Sequence, residues 1–184
     1  MNDKAGFEKL LDTLKPSPTG SYSLYINGAV KTVKWRNGDF FYLTYSDSTE
    51  FGWAYFNNRR YERIILPSPK AANRNYIWYD RGPYNVNPVT AETINYPVTL
   101  ARKLLTSSLY AVKTSSNKNS STWIINGAVN LELLDSANER STIVINNKGY
   151  ISSIKIGSKL RLTSNLSAPN PLVRNIDILS DFDR

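Results

Sequence analysis

The chain has 184 residues, of which 41% are hydrophobic, and its 23 Lys and Arg against 15 Asp and Glu give a formal net charge of +8 at pH 7. It contains neither His nor Cys, which excludes disulfides, zinc fingers, Cys nucleophiles and Ser–His catalytic pairs. A chain of this length buries about 70% of its unfolded surface, so we expect a single domain over residues 1–184 with one apolar core.

The first predicted element is an amphipathic helix near the start of the chain. Phe7 and the leucines at positions 10, 11 and 14 repeat with the i, i+3, i+4, i+7 spacing of one helical face. Asp3 is suited to cap the start of this helix, and Pro16 is suited to end it. The apolar face is expected to pack against the rest of the fold.

The segment from residue 20 to residue 66 has the alternating period of β-strands, with a turn signal every ten residues. The turns are predicted at Asn27-Gly28, Asn37-Gly38, Asp47-Ser48 and Asn57-Asn58. The predicted strands are 20–27, 30–36, 39–46, 51–57 and 60–66. This pattern is typical of an up-and-down antiparallel meander. Consecutive bulky residues such as Tyr55 and Phe56 indicate that both faces of this sheet are covered.

The second half of the chain combines helices with further strands. A short strand is predicted at 76–80, and residues 88–107 are predicted to be helical in two pieces, with Pro97 at the first position of the second piece. Strands are then predicted at 108–114, 122–134, 141–146, 150–157, 159–165 and 173–179. The prediction is an α+β protein with about 10–12 antiparallel strands and two or three helices.

The second helical piece is apolar on two sides. Val98, Ala101 and Leu105 form one stripe, while Leu100 and Leu104 lie nearly opposite. Such a helix is expected to be covered on both sides. Together with 4 Trp, 12 Tyr and 6 Phe, it provides enough apolar surface either for a close-packed core or for a pocket between sheet and helices.

The residues alone leave two other functional classes open. A glycosidase needs two carboxylates across an aromatic cleft, and the acids near aromatic residues are Asp80, Glu50, Glu62 and Glu92. Solvated carboxylates facing the surplus of Arg and Lys are the simpler interpretation, so we do not expect an enzyme. No metal or cofactor is expected either.

A single-stranded nucleic-acid groove would use cations interleaved with aromatic rings. Such residues occur in two runs, which are Lys31, Lys34, Trp35, Arg36 and Arg59, Arg60, Tyr61, Arg63. Strand alternation by itself also places charges on a solvated face, and no phosphate-binding loop accompanies these runs. Nucleic acid is therefore an alternative rather than the expected partner.

After the first helix and the meander, five short segments follow one another in a fixed order along the chain. They are Trp78–Pro83, Asn87–Pro88, the helix with Leu100, Leu104 and Leu105, Ile125–Gly127, and Ile143–Ile151. In the order and spacing of these segments, over nearly its whole length, the chain resembles the LppX/LprG-type bacterial lipoproteins, which are relatives of LolA in fold.

The resemblance implies a LolA-like fold, in which an unclosed, curved half-barrel of antiparallel strands wraps over helices and encloses a hydrophobic cavity. It implies non-catalytic binding and transport of acylated lipids or lipoproteins in the bacterial cell envelope, with no cofactor. Proteins of this kind carry a signal peptide and a lipid-bearing Cys. We therefore expect an extracytoplasmic lipoprotein whose signal and anchor Cys are missing from this sequence.

The residues expected to line the lipid cavity are large and apolar, and they come from both the sheet and the second helix. They are Phe41, Leu43, Trp53, Tyr55, Leu100, Leu104 and Trp123. Arg59, Arg60 and Arg63 are expected to bind a lipid head group or a membrane phosphate. The expected partners are an acylated lipid or lipoprotein and an anionic membrane surface, and the protein is expected to be a monomer.

Overall fold

A computed structural model describes residues 1–15, 17–36, 40–46, 52–56, 58–65, 76–86, 89–131 and 134–165. Over these residues the chain forms three helices and eleven strands. The helices are α1 (Lys4–Thr13), α2 (Ala91–Ile94) and α3 (Tyr96–Ser107). None of them is long and apolar enough to cross a bilayer.

All the described strands belong to one antiparallel sheet. They are β1 (Thr19–Ile26), β2 (Ala29–Arg36), β3 (Phe40–Ser46), β4 (Gly52–Phe56), β5 (Arg59–Ile65), β6 (Tyr76–Pro83), β7 (Ser108–Ser116), β8 (Ser120–Leu131), β9 (Leu134–Asn146), β10 (Tyr150–Ile156) and β11 (Leu160–Asn165). Their order in the sheet is β6-β5-β4-β3-β2-β1-β11-β10-β9-β8-β7. Strands β6 and β7 form the two edges, so the sheet is open. The predicted α+β class and unclosed antiparallel sheet are confirmed.

The sheet consists of two meanders that meet where β1 pairs with β11. Ile26 pairs with Leu160 and Tyr25 pairs with Arg161, although these residues are far apart in sequence. As a result, the β1–β2 turn and the β10–β11 turn lie side by side at one end of the sheet. The β1–β2 turn is the Asn-Gly hairpin turn that the sequence predicts. Such a turn needs positive φ angles at both residues, and Asn27 and Gly28 have φ values of 50° and 82°.

Some predicted boundaries differ from the structure. The strands predicted at 122–134 and 141–146 are in fact β8 and β9, which continue towards each other through pairs such as Asn130 with Asp135. The polar stretch between them therefore belongs to the hairpin and not to a long loop. The strand predicted at 173–179 and the turns at Asn37-Gly38 and Asp47-Ser48 lie outside the described residues.

The predicted helices are confirmed, but Pro97 lies one position later in its helix than predicted. Asp3 caps α1, and its side chain accepts a hydrogen bond from the Gly6 N–H at 3.0 Å. The segment before β7 forms two helices, α2 and α3, as predicted. Because Asn95 is the N-cap of α3, Pro97 is its second residue and not its first.

The helices pack on one face of the sheet, which we call the helix-facing side. α3 packs against β7, β8 and β10, and α1 packs against α3 and β7. The ring of Phe7 on α1 lies 4.9 Å from that of Trp123 on β8. Both stripes of α3 are buried, including Leu100 and Leu104, so the predicted two-sided cover of this helix is confirmed.

A second buried cluster lies on the opposite, outer face of the sheet. Ala54, Phe56 and Tyr61 are buried, and the rings of Phe56 and Tyr61 stack at 4.5 Å. On the same strands, Tyr55 belongs to the core on the helix-facing side. Both faces of the sheet are therefore covered at β4 and β5, as the consecutive bulky residues predicted.

Candidate functional site

A row of paired residues crosses the first meander on the helix-facing side. Gly20 pairs with Trp35, Trp35 with Phe41, Phe41 with Tyr55, and Tyr55 with Arg60. Paired residues on neighbouring strands project from the same face of a sheet. Trp35 and Tyr55 are part of the main core, so this row brings Arg60 to the helix-facing side.

Arg60 is held among aromatic rings, in a group that we call the aromatic clamp and define as Trp53, Tyr55, Arg60 and Tyr84. The guanidinium carbon of Arg60 lies 5.1 Å from the centroid of the Trp53 ring and 6.0 Å from that of Tyr84. Tyr84 follows β6 and is fixed by a 2.8 Å hydrogen bond from its N–H to the carbonyl of Asn58. The hydroxyl of Tyr55 donates to Asn58 Oδ1 at 3.0 Å, and its ring meets Tyr84 edge-on at 5.9 Å.

The Nε donor of Arg60 is buried and has no hydrogen-bond partner among the residues that the structure describes. The carboxylate of Glu62, two residues along the strand, accepts a hydrogen bond from Arg81 Nε at 3.0 Å. A buried donor without an acceptor costs about 1–3 kcal/mol, and more when it belongs to a charged group. An anionic group placed at the clamp would satisfy this donor and form a charge-assisted hydrogen bond with it.

Further aromatic residues lie between the clamp and the helices. Tyr22 on β1 stacks on Tyr96, the first residue of α3, with ring centroids 5.2 Å apart, and lies 6.3 Å from the Trp35 ring. Lys31 Nζ lies 5.8 Å from the centroid of the Tyr96 ring. The helix-facing side of the first meander therefore carries a series of aromatic rings, with the cations of Lys31 and Arg60 beside them.

The clamp lies beside the helix layer. β4 and β10 are separated by five strand spacings of about 4.8 Å, or roughly 24 Å across the sheet. Because α3 packs against β10 and the strands beyond it, it does not pack against β4 in the same way. The clamp is therefore a group of aromatic rings around one cation, at the side of the described helices.

One cavity between the helices and the sheet has a volume of about 40 Å³. Leu14, Trp35, Pro97, Val98 and Ile151 are among the residues that line it. A space of this size holds about one or two water molecules, whereas pockets for larger organic ligands have volumes of about 300–1,000 Å³.

The structure divides the seven predicted cavity residues into three groups. Trp53 and Tyr55 are in the clamp. Leu100, Leu104 and Trp123 belong to the close-packed core under the helices, and none of them lines the 40 Å³ cavity. The backbones of Phe41 and Leu43 on β3 pair with Tyr55 and Trp53, but their side chains lie outside the described part of the chain.

The three predicted head-group arginines are not brought together. Arg59 Nε donates to Asp80 Oδ2 at 2.7 Å on the outer face, whereas Arg60 lies on the helix-facing side. Arg63 pairs with Gly52 and, by strand alternation, shares the outer face with Arg59. Of the three, Arg60 is the one that belongs to the aromatic clamp, in the part of the chain that the structure describes.

The Arg59–Asp80 pair changes the titration of both partners. The hydrogen bond to Asp80 raises the pKa of Arg59 above its ordinary value. Partial burial acts to raise the pKa of Asp80, but the hydrogen bonds from Arg59 and from the Gly82 N–H, with the Arg59 charge, outweigh it and lower this pKa. Burial raises the pKa of the neighbouring Tyr61, and the Asp80 charge adds to this effect.

The acids weighed for a glycosidase are also separated. Asp80 is paired with Arg59 on the outer face, and Glu62 is paired with Arg81 on the helix-facing side. Glu92 is in the first turn of α2, and Glu50 lies outside the described residues. Within the described ranges, no group of three or more acidic residues is placed to hold a metal ion.

The aromatic residues of the nucleic-acid alternative are largely inaccessible. Trp35 is 5% exposed and Tyr61 is 1% exposed, so neither offers a face on which a base can stack. Sequence reasoning missed Tyr84 and Tyr96, which complete the aromatic series on the helix-facing side. The sequence predicts a turn at Gly82-Pro83 after a strand at 76–80, but both residues belong to β6, where Pro83 pairs with Arg59. This longer strand is what brings Tyr84 against Tyr55.

No protein-family model matches the chain, and no curated protein matches it. The fold class and the geometry of the clamp therefore carry the functional argument.

Proposed function

We propose that the protein binds an acylated, anionic lipid or lipoprotein at the aromatic clamp and transports it in the bacterial cell envelope, without catalysing a reaction. The observation that carries the proposal is the guanidinium of Arg60. It lies among Trp53, Tyr55 and Tyr84, and its buried Nε donor is satisfied by no group in the described part of the chain. In this proposal the protein is an extracytoplasmic relative of the LppX/LprG-type lipoproteins, and its open sheet curves as a LolA-like half-barrel.

An amphiphile is the class of ligand that fits both parts of this surface. Its anionic group would accept from Arg60, while its acyl chain would lie against the partly exposed rings of Trp53, Tyr84 and Tyr79. Each methylene removed from water contributes about 0.8 kcal/mol, so ten contribute roughly 8 kcal/mol before the costs of association. Such binding needs no further polar motif.

The proposed ligand position differs from the one expected from sequence. Because the side chains of Leu100, Leu104 and other core residues occupy the space under α3, we propose that the acyl chain lies beside the helix layer and not beneath it. Tyr79 pairs with Glu62 near this region and is 42% exposed, which adds apolar surface at its border. The exposed ring of Tyr79 and the partly buried ring of Trp53 together offer apolar surface that a bound lipid would cover.

The first experiment detects bound lipid directly. The protein is purified from a bacterial host, and native mass spectrometry is recorded before and after mild organic extraction. We expect a mass of acyl lipid to be released. The extracted protein is then titrated with dipalmitoyl phosphatidylglycerol, and binding is followed by tryptophan fluorescence.

The second experiment uses two neighbouring arginines as a matched pair. Arg60→Gln should weaken phosphatidylglycerol binding by at least tenfold, because a charge-assisted hydrogen bond contributes about 1.5–3 kcal/mol. Arg59→Gln removes the same charge from the outer face and should leave the affinity within about twofold of the unmodified protein, since a surface charge outside the site contributes little. Equal losses in both variants, or binding of an oligonucleotide with no bound lipid, would overturn the proposal.

A further inference from the structure

A basic surface lies at the end of the sheet where two turns meet, on the outer face and away from the aromatic clamp. The β1–β2 turn and the β10–β11 turn border an open basin of about 380 Å³. The residues that line this turn basin are Tyr25, Asn27, Gly28, Lys155, Gly157, Ser158, Lys159, Leu160 and Arg161. The pairing of β1 with β11 creates the basin, because it brings the two turns together.

The charged residues described around the basin are all basic. Lys155, Lys159 and Arg161 are exposed, and none of the nine described lining residues is acidic. Lys155 and Tyr25 both pair with Arg161 on neighbouring strands, so the three side chains share the outer face. Three cations around one depression create a local positive potential that attracts an anion.

Two further features favour a compact anion at this position. The guanidinium carbon of Arg161 lies 4.4 Å from the centroid of the Tyr25 ring, which holds this cation beside another lining residue of the basin. Gly28 has a φ of 82° and no atom within 4 Å of the position of a Cβ, so a ligand can approach the backbone there. Asn27 and Ser158 add neutral hydrogen-bonding groups at the rim.

We propose that the turn basin binds the phosphate headgroup of an anionic phospholipid and so docks the protein, by this end, on a membrane surface. The basin has the size of one phosphate-bearing headgroup, whereas a single-stranded nucleic acid needs a groove several nucleotides long with free rings for stacking. Tyr25 is the one aromatic residue among the described lining residues, and Arg161 already lies over its ring. The observations therefore favour a lipid headgroup over a nucleic acid.

This inference concerns a second site and does not depend on the proposed lipid carrier function. Tyr25 is near the end of β1, whereas the row that leads to Arg60 starts from Gly20 near its beginning and runs across the helix-facing side. The two sites differ in both face and end of the sheet. A protein docked through the basin would keep the aromatic clamp away from the bilayer surface.

The test compares two variants with the same net charge. The first removes the basin cations, as Lys155→Gln, Lys159→Gln and Arg161→Gln. The second removes Lys9, Lys118 and Lys148, which are exposed elsewhere, each by substitution with Gln. Because all six side chains are exposed, both variants are expected to fold, and circular dichroism and thermal unfolding check this.

Binding is measured by co-sedimentation with vesicles made of equal parts phosphatidylglycerol and phosphatidylcholine, at low and at physiological salt. Each basic residue close to an anionic surface contributes a factor of roughly five to partitioning. The basin variant should therefore bind about a hundredfold more weakly. The control variant should lose less than about fivefold, because its three cations are dispersed over the surface.

Three outcomes would overturn the proposal. They are equal losses in the two variants, no sedimentation of the unmodified protein with anionic vesicles, and basin-dependent binding of a single-stranded oligonucleotide without vesicle binding. Inorganic phosphate distinguishes the source of the anion. If millimolar phosphate occupies the basin while vesicles do not bind, the basin is a site for free phosphate and the membrane assignment is wrong.

Discussion

Substitution of Leu104 by Trp tests whether an unfilled space lies beneath α3. Leu104 is 0% exposed, belongs to the main core, and does not line the 40 Å³ cavity. A larger side chain therefore has to displace its neighbours, and overpacking of this kind costs about 1–3 kcal/mol. We expect Leu104→Trp to lower the free energy of unfolding by about 2 kcal/mol.

Urea unfolding followed by far-ultraviolet circular dichroism measures this effect. With a slope of about 2 kcal/mol per molar urea, the midpoint should fall by about 1 M while the slope stays the same. Leu109→Trp is the control, because Leu109 is 74% exposed on β7 and the same substitution there should change stability by less than about 0.5 kcal/mol. An unchanged midpoint for Leu104→Trp would refute the close packing and restore the lipid cavity under α3.

Three further predictions concern packing and charge. Val98→Ile places one methyl group in the 40 Å³ cavity and should raise the unfolding free energy by up to about 0.8 kcal/mol, measured by urea unfolding. Gly20→Ala should lower it by about 1–3 kcal/mol, because a Cβ would stand 2.7 Å from the buried Trp35 ring; an unchanged midpoint would show that the ring can move. Asp80→Asn should cause a small loss at neutral pH, because it breaks the pair with Arg59. Since the pKa of Asp80 is lowered in the folded state, this loss should be constant above about pH 4 and should vanish as the pH falls through the lowered pKa.

Local features of the fold could be predicted because short-range chemistry determines them. The helical period around Phe7 predicted α1, and the Asn27-Gly28 turn predicted the first hairpin with its positive φ angles. Consecutive bulky residues predicted that both faces of the sheet are buried at β4 and β5. These features depend on residues within one or two turns of each other, so they need no knowledge of the rest of the chain.

The candidate site could be predicted only in part. Trp53, Tyr55 and Arg60 were expected to bind lipid, and the structure brings them together in the clamp. Leu100 and Leu104 were expected to line the same cavity, but they pack in the core under the helices. A helix that is apolar on two sides has the same sequence pattern whether its neighbours are protein side chains or a lipid.

The sequence by itself determined the strand and helix content, the principal turns, the basic surface charge and the absence of His and Cys chemistry. Only the tertiary structure decided that β1 pairs with β11, which creates the turn basin, and that Arg60 and Arg59 lie on opposite faces with different partners. The physical reason is that the interactions that determine these two sets of features act over different distances along the chain. Backbone propensities act over a few residues, whereas the pairing of distant strands and the filling of the space between sheet and helices depend on how the whole chain packs.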